Sequence, residues 1–104
     1  MKTKHTEGTW VKDDTFIKVG NRIIAEVYND HNFLPNPSDP DGQQIPSKEE
    51  GEANEKLIAA APELLECLLF FEKFDDVEVH SKEWEKLAAR HLDMVEKAIA
   101  KATK

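Results

Sequence analysis

Residues 53–69, ANEKLIAAAPELLECLL, constrain the fold more than any other stretch, because they combine the longest apolar run with a proline. Apolar side chains recur there at spacings of three and four, which is typical of one helix face: Leu57, Ile58, Ala61, Leu64, Leu65, Leu68 and Leu69. Pro62 lacks a backbone donor, and its ring crowds the carbonyl four residues back. The stretch therefore predicts two core helices that meet at a sharp corner, with Pro62 opening the second. A single kinked helix is the alternative.

The flanking residues predict where the helices begin. Ser47 followed three residues later by Glu50 is a capping box, which places a first helix at about residues 48–60. The second helix is predicted from Pro62 to about Phe74. Ser81 caps a third helix with a clean apolar stripe, formed by Trp84, Leu87, Ala88, His91, Leu92, Val95, Ala98 and Ile99.

The N-terminal part predicts a small antiparallel sheet. Short β-rich runs occur at residues 9–11, 15–19 and 22–28, and Gly20-Asn21 is a two-residue hairpin signal. Alternation in the third run puts Ile23, Ala25 and Val27 on one face. The fold class is therefore α+β, a three-stranded sheet followed by three α-helices. We predict a single domain, with a meander at 1–28, a loop at 29–46 and a helical part at 47–104.

The predicted loop holds four of the five prolines, and a loop of this length is a natural place for binding. Its residues 39–42 resemble part of a calcium-binding EF-hand loop, but that register puts Pro37 and Lys48 at ligand positions. We therefore expect no calcium there. Three apolar side chains are predicted to hold the loop on the core: Phe33, Leu34 and Ile45.

Composition narrows the class of partner. With 104 residues, 39% apolar and 34% charged, the chain can form only a small core, so we expect a homo-oligomer built through the second or third helix. A net charge of -7 argues against binding duplex DNA or an anionic membrane. The polar N-terminus and the lack of a run of about 20 apolar residues predict a soluble cytoplasmic protein.

The sequence carries no catalytic signature. It has no glycine-rich phosphate loop, nucleophile elbow or paired-histidine motif, and its four histidines do not pair at ligand spacing. Cys67 lies in the apolar stretch and is expected to be a buried small hydrophobe. We therefore expect no enzyme activity, no metal and no cofactor.

Residues 63–86 hold eight acids against three bases. Such a run is ordinarily a solvated face. The alternative is an acidic surface that imitates nucleic acid and blocks a nucleic-acid-binding protein.

The segment His5-Thr6-x-Gly8-x-Trp10 has two interpretations. Trp10 can be an anchor in the core, or a ring on which a base stacks, with His5, Thr6 and Arg22 as polar partners.

Two segments resemble those of a group of small phage and prophage proteins. The segment from His5 to Trp10 resembles their HTPGPW opening, departing from it at Glu7 and Thr9. Residues 53–65 resemble their ANARLIAAAPELLEAL segment. The resemblance implies a phage context, and small accessory proteins of this kind often act against host defences. Some trap signalling nucleotides as oligomers, and others bind and block a defence protein.

Two alternative functions are therefore expected, and each requires a different site on the protein. In the first, the protein sequesters a small nucleotide-type immune signal, and seven residues form the site: His5, Thr6, Trp10, Arg22, Tyr28, Asn54 and Arg90. The aromatic rings of this set would stack the base, and the cations would contact phosphate or ribose. In the second, the acidic surface inhibits a host defence protein. A structural or regulatory role in the phage is the third possibility.

Overall fold

The computed structural model describes residues 3–33 and 44–104, and it confirms the α+β class. Three strands form one antiparallel sheet in the order β1-β2-β3: β1 (Val11–Asp13), β2 (Phe16–Val19) and β3 (Arg22–Glu26). The helices follow as α1 (Lys48–Ala59), α2 (Ala61–Leu69), a 3-10 helix (Phe70–Phe74) and α3 (Lys82–Thr103). The predicted Leu34 contact and the EF-hand-like residues 39–42 lie outside the described residues.

Both hairpin turns contain a residue in the left-handed region. Gly20, at φ +58°, opens the predicted turn between β2 and β3, where a residue without a Cβ atom is favoured. Asp14, at φ 56°, turns the chain between β1 and β2, and aspartate tolerates this region better than most residues. β1 extends to Asp13, directly before this turn, and begins at Val11, two residues later than the predicted run 9–11.

A bulge in β3 changes which side chains face the core. Ile17 pairs with Ala25 but Lys18 pairs with Ile23, so Ile24 is an extra residue between the two pairs. Ile24 and Ala25 both pack against the buried cluster of Ile17, Val27 and Ala59, whereas Ile23 is 59% exposed. The prediction that Ile23 shares one face with Ala25 and Val27 is therefore wrong at this point.

The apolar stretch forms two helices. Ala60, at φ −88° and ψ −4°, ends α1 and caps α2. Pro62 is the second residue of α2 rather than the first, and it is tolerated because the first N–H groups of a helix have no intrahelical partner. The predicted α-helix as far as Phe74 ends instead at Leu69 and continues as the 3-10 helix.

α2 with the 3-10 helix and α3 form an antiparallel helical hairpin. Lys101 on α3 pairs with Glu63 on α2 at 2.7 Å, and Trp84 contacts Phe74 near the turn between the 3-10 helix and α3. Because residue 63 contacts residue 101 and residue 74 contacts residue 84, the two sides of the hairpin run in opposite directions. The sheet packs on α1 through the cluster around Ile17.

The molecule is elongated. Its extents are 62 × 25 × 22 Å and its radius of gyration is 18.3 Å, against about 13 Å for a compact domain of this length. Over the described segments, no helix has both the length and the apolarity needed to cross a membrane.

Candidate functional site

Trp10 connects the N-terminal segment to the core. We call residues 5–10 the arm. The Trp10 ring is half-buried against the cluster of Ile17, Val27 and Ala59, and its Nε1 donates a hydrogen bond to the Thr6 carbonyl oxygen at 3.0 Å. The exposed His5 ring meets the indole edge to face, with centroids 6.2 Å apart. These contacts fix the orientation of the indole.

Gly8 lets the arm pass close to the sheet. It has φ +107°, and a Cβ atom there would lie 2.8 Å from Val19 Cγ1. Any other residue would therefore be strained and would clash. Val19 in turn pairs with Arg22 in β3, so the arm crosses β2 next to the strand that carries Arg22.

A small cavity lies between the arm and the beginning of α2. We call it the arm cavity; it has a volume of about 130 Å³ and is lined by His5, Trp10, Ala61, Pro62 and Leu65. It is where the arm meets the beginning of α2. A cavity of roughly 150 Å³ with apolar walls accepts a benzene-sized ring, so the arm cavity suits a single flat ring.

The structure brings three of the seven predicted site residues together: His5, Thr6 and Trp10. Tyr28 is exposed and rests edge to face on Phe33, at 5.2 Å between centroids. Asn54 is exposed on α1, on the turn after Gly51, which abuts Asn29. The arm cavity lies beyond the other end of α1, about 10 Å along the helix from Asn54.

Arg90 lies on the helical hairpin, away from the arm. Its Cζ atom is 5.7 Å from the centre of the Phe70 ring, and Lys73 Nζ is 4.9 Å from the same ring. Both are cation–π distances. Arg90 is thus placed to pack on an aromatic side chain of its own chain.

A second cavity, larger than the arm cavity, lies between α2 with its 3-10 helix and α3, the elements through which oligomerisation is predicted. We call this face the helical groove. One part, of about 410 Å³, is lined by Phe71, Phe74, Trp84, Ala88, His91, Leu92 and Val95. The adjoining part, of about 280 Å³, is lined by Leu64, Cys67, Leu68, Phe71, His91, Val95 and Ile99. Leu64, Cys67 and Leu68 belong to the stretch predicted as core, and the apolar stripe of the third helix was the signal for the other wall of the groove.

His91 and Cys67 form the base of the helical groove. His91 Nε2 donates a hydrogen bond to the Cys67 carbonyl oxygen at 2.9 Å, and its ring stacks on Phe70. Cys67 is buried, as predicted; burial raises the pKa of its thiol, and the charge of Glu66 raises it further. The thiol is therefore protonated and unreactive near neutral pH. Among residues 3–33 and 44–104, no His, Cys, Asp or Glu side chains cluster as a metal site would require.

The segment between the 3-10 helix and α3, together with the first turn of α3, is rich in acidic residues. We call five exposed side chains there the acidic corner: Asp75, Asp76, Glu78, Glu83 and Glu85. None of the five forms an ion pair with another described residue, whereas Glu63 is held by Lys101. Of the eight acids in the predicted acidic surface, five thus form the acidic corner, and the other three, Glu63, Glu66 and Glu72, lie on α2 and the 3-10 helix.

A three-stranded meander docked on a helical hairpin, with an N-terminal arm folded over the first helix corner, defines a small α+β protein class. The family model described as Salmonella phage P22 protein Y8K6 matches residues 1–104, the whole chain. The chain therefore belongs to this phage protein family. Neither the curated proteins nor the solved structures contain a match to it.

Proposed function

We propose that this phage protein is a non-enzymatic accessory protein that captures a small nucleotide-type signalling molecule by its base, in the arm cavity. The observation that carries the proposal is the convergence of the arm and the beginning of α2 on one ring-sized cavity. Residues that are 50 positions apart in the chain meet there. Capture of an immune signal would make the protein a counter-defence factor acting in the host cytoplasm.

The walls of the arm cavity suit a flat aromatic group. The Trp10 indole offers a stacking surface, and Pro62 and Leu65 offer apolar walls. Because Trp10 Nε1 is already bonded to Thr6, the indole is oriented before a ligand arrives. An oriented ring loses little conformational entropy on binding, which favours affinity.

Cationic and polar groups for the rest of a nucleotide lie on the same side of the molecule. His5 is exposed at the edge of the cavity, and Arg22 lies one strand beyond Val19, which the arm crosses. The proposed site therefore uses His5, Thr6, Trp10 and Arg22 of the predicted seven. Tyr28, Asn54 and Arg90 are left outside it by their positions.

The experiment is thermal unfolding of the purified protein with a panel of cyclic dinucleotides, cyclic oligonucleotides and cyclic ADP-ribose isomers. A ligand present at about 100 times its dissociation constant stabilises the folded state by roughly 2.7 kcal/mol. For a domain of this size, that corresponds to an increase in Tm of roughly 10 °C or more. We expect one class of molecule to give this shift.

Matched variants identify the site. His5→Ala and Arg22→Ala remove exposed side chains and are expected to reduce the shift while leaving the Tm of the free protein nearly unchanged. His31→Ala, an exposed histidine elsewhere, is the control. A Trp84→Phe background leaves Trp10 as the single tryptophan, so its fluorescence reports binding directly. A flat panel, or a shift that His5→Ala and His31→Ala affect equally, would refute the proposal.

The acidic corner favours a second function, inhibition of a basic host protein. Five exposed acids without ion pairs in the described parts of the chain give a concentrated negative surface. The test is a pull-down from host lysate over a series of salt concentrations, with Asp75→Asn, Asp76→Asn and Glu78→Gln combined as the variant. Capture that weakens with salt and with the variant supports inhibition. Capture that changes with neither contradicts it.

A further inference from the structure

The helical groove leaves large apolar side chains in contact with solvent. Four of them are more than half exposed: Leu68 at 65%, Phe71 at 54%, Leu92 at 59% and Ile99 at 51%. They lie on two neighbouring antiparallel elements and so form one continuous face rather than scattered positions. A contiguous apolar face of this kind on a small protein marks an interaction surface.

The spacing of these residues is that of a helix bundle. Leu64, Leu68 and Phe71 are separated by four and three residues. Leu92, Val95 and Ile99 on α3 are separated by three and four. Alternating spacings of three and four are those of knobs-into-holes packing, in which neighbouring helices cross at about 20°.

We infer that the helical groove is covered by a second copy of this chain, so that two helical hairpins form a four-helix bundle. Two-layer hairpins that associate about a two-fold axis place the same apolar face on both sides of the interface. This inference concerns a different face from the arm cavity and does not depend on the proposed function.

The four exposed side chains supply about half of the area that one partner contributes to a stable interface. At roughly 150–200 Å² per large side chain, the four exposed residues present about 400 Å² of apolar surface, and the half-buried residues around them add to it. A stable interface needs about 800 Å² from each partner. The buried core of the described chain is small, since four of its eight buried apolar residues are alanines. Association would supply the missing apolar burial.

The charge distribution also fits a second copy. The residues that line the groove are apolar, apart from His91 and Cys67, so two copies face each other without burying like charges. At the basic end of α3, Lys101 pairs with Glu63 of its own chain, so it brings no unpaired charge to the interface.

The experiment is sedimentation equilibrium of the full chain and three variants. The wild type is expected at twice the chain mass of 11.9 kDa. Leu68→Glu and Leu92→Glu place a charge in the groove and are expected to give monomers. Ile23→Glu is the matched control, because Ile23 on the sheet is as exposed as Leu92, and it is expected to remain a dimer. Far-UV circular dichroism shows whether each variant is folded.

A second measurement, the Tm of the wild type at different protein concentrations, does not require the variants to fold as monomers. The Tm of a dimer rises with protein concentration, because association stabilises the folded state by mass action. The wild-type Tm is expected to rise over a hundredfold increase in concentration. A monomeric wild type with a constant Tm would overturn the inference and would assign the groove to a different protein. A dimer that Ile23→Glu breaks and Leu92→Glu does not would also overturn it.

Discussion

Gly8 is the residue where the arm depends most on backbone conformation. Gly8→Ala is expected to destabilise the protein by about 2–3 kcal/mol, because alanine is strained at φ +107° and its Cβ would meet Val19 Cγ1 at 2.8 Å. Urea unfolding monitored by circular dichroism measures the change in the free energy of unfolding.

Gly20→Ala is the matched control for Gly8→Ala. Gly20 also has a positive φ, of +58°, but a Cβ atom there would meet nothing within 4 Å. It should cost only the intrinsic strain of about 1 kcal/mol. If the two variants lose equal stability, the arm does not pack on Val19 as described.

The two interpretations of Trp10 show what local sequence can and cannot predict. An indole after a polar, glycine-containing segment was recognisable as either an anchor or a stacking surface. The choice depends on Pro62 and Leu65, which are more than 50 residues away in sequence and form the opposite wall of the cavity. The structure makes Trp10 a half-buried anchor that also lines a cavity, an arrangement that no local pattern contains.

At the scale of the elements, the beginnings of α1 and α3 were predictable because a cap is a local interaction. Ser47 Oγ accepts a hydrogen bond from the Glu50 N–H at 3.2 Å, and Ser81 Oγ accepts one from the Trp84 N–H at 3.1 Å. The bulge at Ile24 was not predictable, because it depends on how β3 pairs with Lys18 in the neighbouring strand. The change from α2 to the 3-10 helix was missed because the apolar pattern continues through it.

The cap of α3 gives a prediction at this scale. Ser81→Ala is expected to reduce the free energy of unfolding by about 1 kcal/mol, because the Trp84 N–H loses its acceptor. Ser81→Asp should retain most of the stability, because a carboxylate also accepts this bond and favours the helix N-terminus. Chemical denaturation compares the two variants, and a Ser81→Asp variant as unstable as Ser81→Ala would argue against the cap.

At the scale of the whole molecule, the division into sheet and helices was predictable, whereas the way they dock was not. Alternating and helical periodicities occupy separate halves of the chain, and that separation indicates an α+β fold. Besides the apolar cluster, the contact between the sheet and α1 includes Glu55, a charged residue on α1 that is only 1% exposed and pairs with Lys12 of β1. A glutamate in a charged helix gives no local sign of burial, because its partner, Lys12, belongs to β1.

The Lys12–Glu55 pair gives a prediction about docking. Lys12 Nζ lies 3.1 Å from Glu55 Oε2, close enough for an ion pair, although that oxygen has no hydrogen bond of good geometry. Lys12→Met leaves the buried carboxylate without its cation and is expected to cost roughly 2–4 kcal/mol, less than for a fully buried pair because Lys12 is 38% exposed.

The paired replacement separates the ion pair from simple packing. Lys12→Met combined with Glu55→Met replaces both charges with apolar side chains and is expected to recover most of the lost stability, because no buried charge remains. A double-mutant cycle measured by urea unfolding gives the coupling between the two positions. Losses that simply add would show that the two residues do not interact. The sheet would then be held on α1 by the apolar cluster around Ile17 alone.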